Sequence, residues 1–135
     1  MNGLMVRIAL LAVMAVLGGC ASLIDPLDRQ IASVDAENVL SVQGYLVREN
    51  AAGQELVARW EDLADLMRRQ PGFVSARLGE GTGESSFWFA WSEWQDANAL
   101  RDAFADPEIL AVEARMPDRL FGHLYERRRQ VLPVR

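Results

Sequence analysis

A single histidine, His123, lies in the stretch Leu120 to Val131, where Phe121, Tyr125 and Arg127 recur at every second position. Imidazole titrates near neutral pH and is suited to taking a proton from a phenol or an enol. Arg77, which alternates with Phe73 and Ser75, could hold the resulting oxyanion. Ser41, Gln43 and Tyr45 give the first apolar stretch a polar-leaning face. If these faces converge, an imidazole, phenols, an amide and a guanidinium line one cavity, with His123, Arg77 and Tyr125 as the catalytic set. Each residue also has a plainer reading: His123 as a packed or interface aromatic, Arg77 as an ion-pair partner, and the tryptophans Trp88, Trp91 and Trp94 as buried area.

Other chemistry is excluded by residue type. Cys20 is the only cysteine, so disulfides and cysteine-based metal sites are ruled out, and a zinc site built on His123 alone is not expected. Gly79-Glu-Gly-Thr-Gly83 has three glycines, but no G-K-[ST] follows and no helix begins there, so it reads as a turn. The acidic residues of the helical segments read as solvated faces, with no pair set for glycosidase work. No flavin or nicotinamide motif is present, so no cofactor is expected. Lysine is absent, and 14 basic residues stand against 19 acidic ones. An acidic chain offers no footprint for nucleic acid, and Arg127-Arg128-Arg129 is too short a run to change that.

The elements that must position these residues follow from periodicity. Val39 to Val47 alternates as a strand, and Asn50-Ala-Ala-Gly53 breaks it. Leu56, Trp60, Leu63 and Met67 mark one face of a helix, supported by Glu55–Arg59 and Asp65–Arg69 pairs and stopped by Pro71-Gly72. Phe73 to Leu78 and Ser85 to Trp91 read as a hairpin. Ser92-Glu-Trp-Gln95 fits a capping box that opens a helix through Ala97, Leu100 and Phe104. Asp106-Pro107-Glu108 restarts a helix carrying Ile109, Val112 and Met116, and a last strand runs from about Leu120 to Val131. The order is βαββαβ, an α+β, ferredoxin-like sheet of four antiparallel strands with helices on one face. Apolar residues on both faces of several strands leave a surface to be covered, which a homodimer would do.

The N-terminus carries a different signal. Arg7 precedes a short apolar run from Ile8 to Leu17, which ends in Leu17-Gly18-Gly19-Cys20. The run is about half the length a membrane-crossing helix needs, and its flanks are those of a secretory signal. With cysteine in last place it resembles a bacterial lipoprotein signal with its lipobox. That resemblance implies removal of residues 1–19, a lipid thioether on Cys20, and acylation of the new amino terminus. Several acyl chains, at roughly 0.8 kcal/mol per buried methylene, make a stable membrane anchor. An ordinary cleaved signal or an uncleaved anchor, with Cys20 there by accident, is the alternative. Ala21 after the cysteine resembles the sorting pattern for the periplasmic face of the outer membrane. Residues 20–38 then read as a lipidated tether, either free or folded as a short helix against the domain that follows at 39–135.

Several segments of that domain together resemble the antibiotic biosynthesis monooxygenase (ABM) family of dimeric α+β barrels. They are the Trp60 helix, the turn and strand Gln70 to Leu78, the aromatic strand Phe87 to Trp91, the exit Ser92 to Asp96, and the Asp106-Pro107-Glu108 break. The resemblance implies two protomers pairing their sheets, with a small hydrophobic or aromatic ligand between sheet and helices. Gln43, Tyr45 and Trp88 are the expected ligand contacts. It also implies cofactor-independent oxidation, in which the substrate is activated before oxygen attacks. A haem-degrading branch of the resemblance would need a Trp and a His where Ala103 and Glu113 stand, so that pattern is broken. Two functional readings remain: a membrane-anchored oxygenase, or a non-catalytic envelope lipoprotein that binds a small apolar ligand or a protein partner through the same barrel.

Overall fold

A computed structural model describes residues 26–128; the lipobox, with Cys20, lies outside the described residues. In chain order the elements are α1 (Leu27–Ser33), β1 (Glu37–Leu46), α2 (Asn50–Met67), β2 (Phe73–Gly79), β3 (Phe87–Asp96), α3 (Ala97–Ala103), α4 (Pro107–Glu113) and β4 (Arg119–Glu126). The strands form one antiparallel sheet in the order β2-β3-β1-β4. This is the expected ferredoxin-like arrangement.

Alternation along the central strands decides which residues meet the helices. Val39, Ser41, Gln43 and Tyr45 of β1 face them, with Trp88, Ala90, Ser92 and Trp94 of β3, and all eight are buried. Small residues between two tryptophans leave room for α2 and α3 to approach. The expected stripe Leu56, Trp60, Leu63 and Met67 supplies the other half of the core, joined by Leu100, Ile109 and Val112. Burying such side chains is worth roughly 1.5–3 kcal/mol each, which fixes the helices to this face. Gly72 makes the turn into β2 at φ +79°, and a Cβ there would strike the Cβ of Ala99.

The structure corrects the capping box. Ser92 does not open a helix, because β3 continues through Asp96. The Ser92 hydroxyl is buried and accepts a hydrogen bond from Trp94 Nε1 at 2.9 Å. Asp96 caps α3 instead, accepting from the Ala99 N–H at 2.8 Å. The strand alternation that buries Trp94 outweighs the local cap signal, since a full indole buries more area than a cap is worth. Asp65 likewise pairs with Arg68 at 2.6 Å rather than with Arg69.

Part of the expected tether is docked. Leu27 is buried against Gly122, where any side chain would collide with it. The Gln30 amide donates to the Gly122 carbonyl and accepts from the Leu124 N–H, both at 3.0 Å. These two backbone groups lie on β4, an edge strand, so one side chain blunts an edge that would otherwise be open to strand pairing. Arg101 holds the other end of α1 through the carbonyls of Ile31 (3.2 Å) and Val34 (2.7 Å). A seven-residue helix is marginal alone, and these contacts stabilise it.

Candidate functional site

The sheet separates the residues that the sequence offered as the lining of one cavity. Gln43, Tyr45 and Trp88 face the helices. His123 pairs with Val42, Tyr125 with Leu40, and Arg77 with Trp91, all on the opposite, helix-free face. His123 stacks loosely between Phe121 and Tyr125, with ring centroids 6.1 and 6.2 Å away. Arg77 stands on β2 at the far edge of the sheet, three strand spacings or roughly 14 Å from β4. One cavity holding all six residues is therefore not formed. His123 and Tyr125 are neighbours because they alternate on one strand; Arg77 does not join them.

The open face is aromatic. Phe89 lies 5.9 Å from Phe121, centroid to centroid, and Leu46, Phe87, Phe89 and Tyr125 are exposed. Gly44 lies beneath the Phe121 ring, which occupies the space its side chain would need.

On the helix side a polar chain is built into the core. Tyr45 Oη donates to Gln43 Oε1 at 2.7 Å, with both residues buried. Glu113, the last residue of α4, comes down beside them, its side chain only 12% exposed. The Gln43 amide and the Arg119 guanidinium both favour its ionised form, but burial outweighs them and raises its pKa. Arg119 Nη1 is 3.5 Å from Glu113 Oε2, while Oε1 is buried without a hydrogen-bond partner. Burial and the Glu113 carboxylate together hold the Tyr45 hydroxyl well above the ordinary phenol value, against a lowering by Arg119. The phenol therefore remains a donor throughout the physiological range.

Trp88 and Arg119 are the cross-strand neighbours of Tyr45 on either side. Trp88 packs on α2 at Gly53, where a Cβ would come within 3.2 Å of the indole. Its edge forms part of the wall of an open cleft of about 650 Å3 between the start of α2 and the β2–β3 turn. Val47, Gly53 and Val57 supply apolar lining, and Glu49, Glu61, Glu80 and Glu84 give the cleft an acidic character against Arg48. The row Trp88–Tyr45–Arg119 thus crosses the sheet beneath the helices, from the cleft to the Glu113 carboxyl.

Reading acidic residues as solvated faces missed Glu113 and its partner Arg119. A signal was present: Glu113 follows Ile109 by four and precedes Met116 by three, so it shares their buried stripe. Among the described residues, no three His, Cys, Asp or Glu side chains gather as a metal site.

A family model described as antibiotic biosynthesis monooxygenase matches residues 40–115. Solved structures are similar over nearly their whole length. A variant of SnoaB, a cofactor-independent oxygenase from Streptomyces nogalater, is 25% identical with a TM-score of 0.62, covering 71% of this chain and 98% of that one. The ActVA-Orf6 monooxygenase of Streptomyces coelicolor, solved with nanaomycin D, is 22% identical with a TM-score of 0.57, covering 73% and 94%. Rv0793 from Mycobacterium tuberculosis is 15% identical with a TM-score of 0.59, covering 70% and 99%. No curated protein matches the chain by sequence.

Proposed function

The chain belongs to the antibiotic biosynthesis monooxygenase family, and from that premise we propose that it is a cofactor-independent monooxygenase acting on a small hydrophobic or aromatic substrate. The observation that carries this reading is the phenol–amide pair Tyr45–Gln43, buried beneath the helices beside Trp88 at the cleft wall. A buried hydrogen-bonding pair next to an aromatic surface suits a planar substrate with one or two polar groups. Without a cofactor, the substrate must itself supply electrons to oxygen. It does so once it has lost a proton and become an electron-rich anion.

Anthrone is a suitable probe, because its acidic CH2 gives such an anion. Anthrone and O2 yield anthraquinone and water, so one oxygen atom enters the ring carbon and the other leaves as water. Protein-dependent oxygen uptake with equimolar anthraquinone is the expected result. A rate equal to the protein-free control for anthrone and for other tricyclic phenols would remove the oxygenase reading and favour a non-catalytic binding module.

We further propose that the open sheet face pairs two copies of the chain. Phe87, Phe89, Leu46 and Tyr125 are exposed there together, and a symmetric pair is the simplest way to cover an apolar face. His123, Tyr125 and Arg77 are then interface residues. Turnover retained by His123→Ala supports this assignment. Turnover lost in a His123→Ala protein that still dimerises would return catalysis to the open face.

The same proposal includes the anchor, namely residues 1–19 removed and Cys20 lipidated on the periplasmic side of a bacterial envelope, in the outer membrane. It rests on the lipobox sequence. Cys20→Ala should release the protein from membranes and abolish lipid labelling. Unchanged fractionation would refute the anchor without touching the oxygenase.

A further inference from the structure

We propose that Glu113 accepts the proton of a phenolic or enolic ligand, with Oε1 as the receiving atom and Arg119 as the counter-ion left facing the ligand's oxygen. The assignment deepens the oxygenase reading and rests on it for its catalytic consequence; the binding consequence stands alone.

Glu113 is poorly explained as a structural residue. A buried ion pair that holds a fold together has short, saturated contacts, because burying the two charges is costly. Here the contact to Arg119 is a single one at 3.5 Å, and the second oxygen is buried with nothing bonded to it. The carboxyl also ends α4, where the helix carbonyls disfavour negative charge. Gln43 holds Tyr45 through its amide oxygen, and its amide N–H, though near enough to favour the carboxylate, makes no hydrogen bond to Oε1. A buried acceptor in this state costs stability, and a hydrogen-bond donor supplied by a ligand would satisfy it.

The kind of donor follows from the surroundings. Trp88, the cross-strand neighbour of Tyr45, carries the row out to the cleft wall, and an indole edge there suits an aromatic hydroxyl. Burial raises the affinity of Glu113 for a proton, bringing the carboxyl nearer to a phenol and reducing the uphill cost of transfer. In the transfer the ligand's O–H bond breaks, the proton goes to Oε1, and the electron pair stays on the ligand oxygen. Total charge is unchanged: Glu113 becomes neutral, and Arg119 then faces an oxyanion instead of a carboxylate.

The test uses the full chain in detergent, with protein-free micelles as the blank. Equilibrium dialysis compares 1-naphthol with naphthalene, which lacks only the hydroxyl. The wild type should prefer 1-naphthol by roughly ten- to a hundredfold, the range for a hydrogen bond to a charged group. Glu113→Leu should lose that preference while its melting temperature holds or rises, because an unsatisfied carboxyl has been removed. Glu113→Gln keeps an acceptor oxygen but not a base, so it should retain most of the preference and lose anthrone turnover. Equal preference in wild type and Glu113→Leu, no preference in the wild type, or full turnover in Glu113→Gln would each overturn the assignment. A Glu113-dependent preference with no oxygen uptake by the wild type would instead leave Glu113 as a binding group and defeat the oxygenase reading.

Discussion

Replacing Tyr45 with phenylalanine removes one oxygen atom from the middle of the polar chain. The lost bond is the 2.7 Å contact from Tyr45 Oη to Gln43 Oε1. Both side chains are almost fully buried, Tyr45 at 1% and Gln43 at 4% exposure, so water does not readily replace the hydroxyl. A buried acceptor left without its donor costs roughly 1–3 kcal/mol, more than the net worth of the bond itself. The ring is retained, so the cavity contribution is small, and a total of about 2 kcal/mol is expected. For a domain of this size that corresponds to a fall in melting temperature of roughly 8–16 °C. Thermal unfolding of the full chain in detergent, followed by near-ultraviolet circular dichroism, measures it. The Tyr45→Phe/Gln43→Leu double variant should recover part of the loss, since no orphaned acceptor remains at position 43. A fall below about 2 °C for Tyr45→Phe would refute the argument, because it would mean that Gln43 finds another donor and that the pair is not a fixed element of the site.

Three further outcomes follow from the same structure. Burial makes the folded protein hold the Glu113 proton more tightly than the unfolded chain does, so the stability due to this group is full below the ordinary value of 4.5 and is lost as pH rises through the higher folded value. The melting temperature of the wild type should therefore fall relative to Glu113→Gln as pH is raised from 4.5, the opposite of the usual carboxylate, and a constant difference would contradict it. Gly72→Ala forces a side chain into a φ of +79° and onto Ala99, and should cost roughly 1–3 kcal/mol in denaturant unfolding. Phe89→Glu places a charge on the exposed aromatic face and should convert the proposed dimer to a monomer in sedimentation at micromolar concentration without changing the far-ultraviolet spectrum; a dimer that persists in the variant would move the interface elsewhere.

The strands and the long helix were legible because their apolar residues keep one period over several turns. Leu56, Trp60, Leu63 and Met67 read as a face, and they are one. Ser92 was misread because a capping box is a pattern of four residues, whereas the burial of Trp94 is decided by a partner helix and by Phe73 and Phe104, whose rings lie 5.5 and 6.3 Å away. Glu113 was legible only by asking which face of its short helix it occupies. Arg119 as its partner was not legible at all, since an irregular turn, with no periodicity to read, separates them.

Sequence by itself determined the element order, the faces of each strand, the absence of cysteine and lysine chemistry in the domain, and the lipobox as a candidate address. Those are properties of local period and residue type, which hold whatever the rest of the chain does. Tertiary structure decided which faces look at each other. Alternation places His123 and Tyr45 each on a definite side of its own strand, but only the pairing register of β1 with β4 puts those sides on opposite faces of one sheet. That register, fixed by the packing of three helices and the docked α1 on one face alone, separated the imidazole from the phenol and brought an unremarked glutamate to the phenol instead.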